Sequence, residues 1–142
     1  MAIIPVLISR ADRLGFVKEP LYNYYQREAS LSATPSPQMI AHMQRSFAYI
    51  CENIDTEYQT EVEYLGVRNL LYGALLNLFK QKKQKKQAQE ILRSFEQSFP
   101  RWHKNPYLYR LPFYKKVYLF CVRKRIFFAA RLLSALHRKL AH

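Results

Sequence analysis

Tyr24, Tyr25, Gln26 and Arg27, followed by Ser30 and Ser32, bring an amide, a guanidinium and hydroxyls to the end of an extended stretch. Arg suits bidentate contact with phosphate, and loops at strand ends are common places for a site. On spacing alone a second reading stands beside this one: a Tyr-rich packing edge with Arg27 paired to Glu28 or another nearby carboxylate. Elsewhere the chain offers no self-contained active site. Asp12 stands alone between Arg10 and Arg13, and the acids of 52–63 read as helix-start charge. The four His and two Cys have no metal-ligand spacing, and no paired carboxylates, Ser–His or Cys–His arrangement is recognisable. No GxGxxG or GxxxxGK[ST] stretch occurs either. The expectation is therefore no catalytic residue, no metal site and no cofactor in this chain.

A second kind of chemistry lies near the C-terminus. Lys115, Lys116, Arg123, Lys124, Arg125 and Arg131 interleave with Val117, Tyr118, Leu119, Phe120, Ile126, Phe127, Phe128, Leu132 and Leu133, and acidic residues are absent from Arg101 onward. A basic amphipathic helix with bulky aromatics suits an anionic membrane interface, where each cation contributes about 1 kcal/mol. The alternative is a helix packed on a bundle with its charges solvated. Nucleic acid ranks lower: the KKQKK run could meet phosphates, but the cationic side is greasy and no nucleic-acid module is recognisable.

Charge distribution supports a polyanionic partner. The formal net charge is +13, with five Lys+Arg against eight Asp+Glu in residues 1–63 and eighteen against two in 64–142. At 142 residues, 49% apolar and with three Gly, the chain has room for one core and favours helix. No basic n-region precedes the apolar start, so no signal peptide is expected. The apolar runs 117–122 and 126–130 are far short of the ~20 residues of a spanning helix. Cys51 and Cys121 fall in apolar helical patterns and read as reduced, buried thiols.

These groups must be positioned by a mainly α protein. Ile4, Leu7, Ile8 and Ala11 predict a short helix over 3–13, ended by Gly15. Residues ~16–27 read as a strand or hairpin element, with Leu21, Asn23 and Tyr25 on one face and Tyr22 and Tyr24 on the other. A small-residue loop leads to Ser36-Pro37, an N-cap and first helical position. Ile40, Met43, Phe47, Ile50 and Ile54 then form a stripe at steps of three and four. A helix over 57–79, apolar on nearly every side from Leu65, is the expected centre of the bundle. Ala88, Ile91, Leu92, Phe95 and Phe99 mark a third helix, Arg101–Pro112 is a Pro-punctuated aromatic connection, and 113–140 reads as one long basic helix. The division is 1–35, a helix–strand–loop unit, and 36–142, a helical region with a basic amphipathic tail.

The stretch IPVLISRADRLGFVKEPLYNYYQREASLS resembles the end of the catalytic domain of bacterial family-2 glycosyltransferases that build capsular, wall or exopolysaccharides. The residues that carry it are Leu21 to Arg27, matching an aromatic "lYyYyqR" strand, and Ala29 to Ser32, matching an "eGSiS"-like loop in which Ala29 replaces the frequent Gly. FPRWHKNPYLYRLPFYKKVYLF (99–120) is similar to the basic, aromatic tail of such enzymes. The resemblance implies a C-terminal, acceptor-side region of an enzyme moving sugar from a nucleotide-sugar to a lipid-linked or polysaccharide acceptor. It implies a location in the cytoplasm, peripheral at the inner face of the cell membrane. By position, Gln26, Arg27, Ser30 and Ser32 would close over donor diphosphate or acceptor. Intact members use Mg or Mn bound at a DxD motif; this chain has no DxD, so the resemblance implies a piece inactive alone. Its partners would be an anionic membrane surface and either a catalytic N-terminal half or a second copy joined through residues 16–27. The runner-up is a small non-enzymatic helical membrane-surface or adaptor protein.

Overall fold

The spacing of Ile40, Phe47 and Ile50 sets one face of a helix, and in the computed structural model, which describes residues 2–22, 37–79 and 85–140, all three are buried. They lie on α2 (Pro37–Asn53), with Met43 and Ile54 half-buried along the same stripe. Cys51 sits one residue beyond Ile50, about 100° further round the helix, and is exposed. The expectation of two buried thiols therefore holds for Cys121 alone. Packed on α2 is α1 (Ile3–Ser9), which buries Val6 and leaves Ile3, Ile4, Leu7 and Ile8 exposed. α1 ends earlier than its periodicity predicts, at a C-cap on Arg10, and Gly15 has no positive φ with which to cap a helix.

No strand forms among the described residues 16–22, contrary to expectation. Phe16 is 95% exposed and Val17, Leu21 and Tyr22 are also exposed. A strand requires a neighbouring edge to satisfy its backbone groups, and none is supplied to these residues among the described ones. Residues 23–27 of that expected element lie outside the described residues, as does the Ser36 cap. The chain divides into two compact units, 1–55 and 56–142.

The second unit is organised around one long helix. After a single 3₁₀ turn (Thr56–Tyr58), α3 runs continuously over 59–79 and packs against each of the unit's three later helices: α4 (Lys85–Ser98), α5 (Phe113–Arg123) and α6 (Phe127–Leu140). Its interior stretch, Val67–Ala74, is π-helical, and the Leu75 N–H donates to the Leu70 carbonyl five residues back. The buried positions explain why. Val62, then Gly66 and Val67, Leu70 and Leu71, Ala74 and Leu75, and Leu78 and Phe79 recur every four residues. In a pure α-helix each such step drifts by about 40°, so the stripe would wind away from its partners. Turns closed by i→i+5 bonds hold more residues and offset that drift, keeping the pairs aligned on the core.

α4 buries Ala88, Ile91, Leu92 and Phe95, the expected stripe, with Phe99 buried beyond its end. The long C-terminal helix anticipated over 113–140 is instead two helices. The Arg125 N–H donates to Val122 O at 3.0 Å and the Ile126 N–H to Cys121 O at 2.9 Å, with Arg125 at φ 57°. These are the paired bonds of a Schellman turn, with Arg at the left-handed position that Gly usually takes. Left-handed backbone costs a non-glycine residue about 1–2 kcal/mol. The return of α6 onto the core, burying Phe127 and Ala130, offsets it.

Four rings tie these helices together. Tyr118 of α5 meets Tyr72 of α3 edge-on at 5.3 Å and Phe79 at 6.5 Å, and Phe79 meets Phe127 of α6 at 5.9 Å. The Tyr118 hydroxyl is buried and has no hydrogen-bond partner among the described residues. A buried unpaired hydroxyl costs about 1–3 kcal/mol, so Tyr118→Phe is expected to raise stability by about 1 kcal/mol in urea denaturation. Burial, and secondarily Tyr72, push the Tyr118 phenol far above its ordinary value. Because the folded value lies above the unfolded one, this group's contribution is intact below about pH 10 and lost as pH rises beyond it. The variant should lose less stability than the parent between pH 10 and 12; equal loss would refute that assignment.

Candidate functional site

The connection between α4 and α5 is short in hydrophobic periodicity but rich in turn chemistry, and one residue fixes its course. Asn105, only 5% exposed, caps a 3₁₀ helix (Pro106–Arg110) by accepting from the Tyr107 N–H at 3.0 Å. Its amide donates to Thr60 O at 2.8 Å and Glu63 Oε1 at 2.7 Å. Both of its amide N–H donors are thus spent on holding the connector to the start of α3. Tyr107 adds a bond from its hydroxyl to Glu61, which raises that phenol, and a ring contact with Tyr64 at 5.5 Å. Trp102 is buried just before it, edge-on to His103 at 6.2 Å.

Pinned this way, the connector forms one wall of a cleft of about 340 Å³, and α5 forms the other. From α5 come Lys116, Leu119, Phe120 and Arg123, at positions i, i+3, i+4 and i+7, hence one stripe. The connector contributes Trp102, His103, Lys104, Asn105, Leu108, Tyr109 and Leu111. The floor is made by buried Trp102, Asn105 and Leu119, whereas Lys104, Tyr109, Lys116, Phe120 and Arg123 are exposed at the rim. Lys116 Nζ lies 5.1 Å from the Tyr109 ring centroid, a cation–π distance. Among the described residues, no acidic side chain lines the cleft. His103 is held below its ordinary value, first by partial loss of solvent, then by Arg123 and Lys104, with Glu63 and Glu96 opposing.

Leu111 and Leu119 also line a smaller cleft of about 160 Å³, with Tyr64, Val67, Arg68, Tyr72 and Lys115. Lys115 is half-buried there, its Nζ 4.9 Å from the Tyr72 ring and 5.9 Å from Tyr114. Burial raises the Tyr72 phenol, with Tyr114 adding to the effect.

Of the cations singled out in sequence, the fold brings Lys116 and Arg123 into the main cleft and turns Lys115 inward. Lys124 and Arg125 fall in the α5–α6 turn, where Arg125 reaches Glu96 at 3.4 Å. Arg131 lies on the outer stripe of α6. Gln26, Arg27, Ser30 and Ser32 lie outside the described residues. His103, Lys104, Asn105 and Tyr109 were not singled out from sequence; the Asn-Pro dipeptide at 105–106, a turn and cap signal, pointed to them. Among the described residues, no three His, Cys, Asp or Glu side chains gather as metal ligands. Likewise, no helix among them is long and apolar enough to cross a membrane. No protein-family model, curated protein or solved structure matches the chain.

Proposed function

We propose that this chain is the acceptor-side, membrane-associating region of a family-2 glycosyltransferase, peripheral at the inner face of the cell membrane. The observation that carries the membrane part is the outer stripe of α6. Its inner stripe, Phe127, Ala130 and Ser134, is buried, yet the opposite stripe presents Phe128 at 82% exposure and Leu132 at 55%, with Arg131 between them. Phe113, Phe120 and Ile126 are exposed nearby in sequence, among Lys116, Arg123 and Lys124. Bulky apolar groups interleaved with cations suit the headgroup–acyl boundary of an anionic bilayer. The assignment to a sugar-transfer enzyme is supported by the resemblance of residues 21–32 and 99–120. Without a DxD in the sequence, donor and metal binding are assigned to a separate catalytic half. The exposed aliphatic side of α1, with Phe16 and Val17, offers that half or a second copy an apolar surface.

The same stripe also serves the second reading, a non-enzymatic membrane-surface protein. Co-sedimentation with phosphatidylglycerol vesicles tests the shared claim. Binding is expected to anionic but not to phosphatidylcholine vesicles. Combined Phe128→Ser, Arg131→Gln and Leu132→Ser should weaken it roughly 100-fold, at about 1 kcal/mol for each exposed group. Undiminished binding by that variant would remove the membrane assignment. Capture of a DxD-containing catalytic half by α1, lost on Leu7→Asp, would favour the enzyme reading over the adaptor.

A further inference from the structure

We propose that the cleft between the 102–111 connector and α5 is a binding site for a phosphate monoester carrying a flat or apolar group. The cleft's chemistry is divided. Its floor is apolar or already satisfied: Trp102 and Leu119 are buried, and the Asn105 amide is spent on Thr60 and Glu63. Its rim is cationic. Lys104, Lys116 and Arg123 are exposed and line it, and among the described residues none has a carboxylate within ion-pair distance. The two acids that act on His103 hold other partners, Glu63 the Asn105 amide beneath the floor and Glu96 the Arg125 guanidinium. Three unneutralised cations around one opening call for a multiply charged anion, and an Arg fork with two ammonium groups matches phosphate oxygens.

The aromatic and aliphatic parts define the rest of the ligand. Tyr109 and Phe120 flank the opening, and Leu108 and Leu111 continue inward. A bare phosphate would leave these surfaces wet, so the fitting ligand has a ring or short chain attached to the phosphate. The volume of about 340 Å³ falls in the small-ligand range. A cleft of that volume suits a small ligand rather than an extended polyanion. The site shares Lys116, Phe120 and Arg123 with the membrane-suited groups named above but none of the Phe128–Leu132 stripe, so it does not depend on the membrane reading of α6.

His103 supplies an internal reporter. The charged groups that act on it are Arg123 from α5, Lys104 beside it, Glu63 from α3 and Glu96 from α4. A bound phosphate would offset the two cations and move the imidazole back up.

The test is titration of the full chain, by calorimetry and by His103 ring resonances, with inorganic phosphate, phenyl phosphate and soluble dihexanoyl phosphatidic acid. Phenyl phosphate or the short-chain lipid should bind about tenfold more tightly than inorganic phosphate, and the His103 pKa should rise on binding. The tighter of the two organic probes identifies the source as a soluble ester or a lipid headgroup. Lys116→Gln and Arg123→Gln should each weaken binding about fivefold or more, whereas Arg93→Gln on α4 and the Phe128–Leu132 stripe variant should not change it. Inorganic phosphate binding as tightly as both esters, an unmoved His103, or equal losses in Arg93→Gln and Arg123→Gln would overturn the proposal. Both rim side chains are exposed, and retained circular dichroism would separate lost binding from lost fold.

Discussion

Trp102→Ala is expected to destabilise the protein by about 3–5 kcal/mol, the usual cost of emptying a buried aromatic site. The indole is 2% exposed although it opens a single 3₁₀ turn of the connector rather than lying on one of the α-helices. Its burial gives the connector a share of the core, and deleting it leaves a void beneath the cleft that neighbours fixed by α3 and α5 can only partly fill. Against a typical domain stability of about 5–15 kcal/mol, that loss is about a fifth or more. Trp102→Phe keeps part of the apolar volume and should cost distinctly less. Since this is the only Trp, unfolding of both variants has to be followed by circular dichroism. A cost below about 1 kcal/mol for the alanine variant would mean the connector is not part of the folded core.

Asn105→Asp should be nearly as damaging, through charge rather than volume. The change replaces a donor by a carboxylate oxygen facing Glu63 Oε1 and the Thr60 carbonyl at the 2.7 and 2.8 Å now bridged by hydrogen bonds. Two favourable bonds become two acceptor–acceptor contacts, one of them between like charges in a buried setting. The expected loss at pH 7 is about 3 kcal/mol. Asn105→Ala removes the donors and the cap without adding charge and should lose about 2 kcal/mol. The two variants differ in pH dependence. Burial and Glu63 raise the folded pKa of the new Asp above its unfolded value, so the stability it retains is fullest below about pH 4 and falls as pH rises through the folded value. Denaturation midpoints at pH 4 and pH 7 should therefore converge on the parent's only for Asn105→Asp, and only toward acid. Absence of that convergence would contradict the Asn105–Glu63 geometry.

These two residues also mark where the sequence stopped being legible. Stripes such as Ile40–Phe47–Ile50 and Ala88–Ile91–Leu92–Phe95 can be read directly, because burial on one side of a helix leaves a period of three to four. α3 was legible as the central helix for a related reason: its apolar residues crowd nearly all round. Its π-helical stretch was not, since backbone bonding leaves no residue type of its own. The turn at Arg125 was hidden because its left-handed position carries Arg, not Gly, so 113–140 looked continuous. The cleft was half visible. Lys116 and Arg123 stood out as cations on an amphipathic helix, but Asn105 acts through its bonds to Thr60 and Glu63, 45 and 42 residues away in sequence. No local pattern records such pairing.

The π-helical stretch of α3 has a consequence for how this helix can change length. Its buried pairs are kept in line by a balance between tight and wide turns, so residues 67–74 work as a slip joint between the two ends of α3. Removing one residue there would let the stretch close into ordinary α-helix and leave the helix intact. Because the α turns that result hold fewer residues, most of the roughly 100° that a lost residue would otherwise cost is absorbed, and Phe79 stays turned toward Tyr118 and Phe127. A one-residue deletion within 67–74 should therefore be tolerated more readily than one within 75–79, where the turns are already α-helical and the loss would swing Phe79 off its partners.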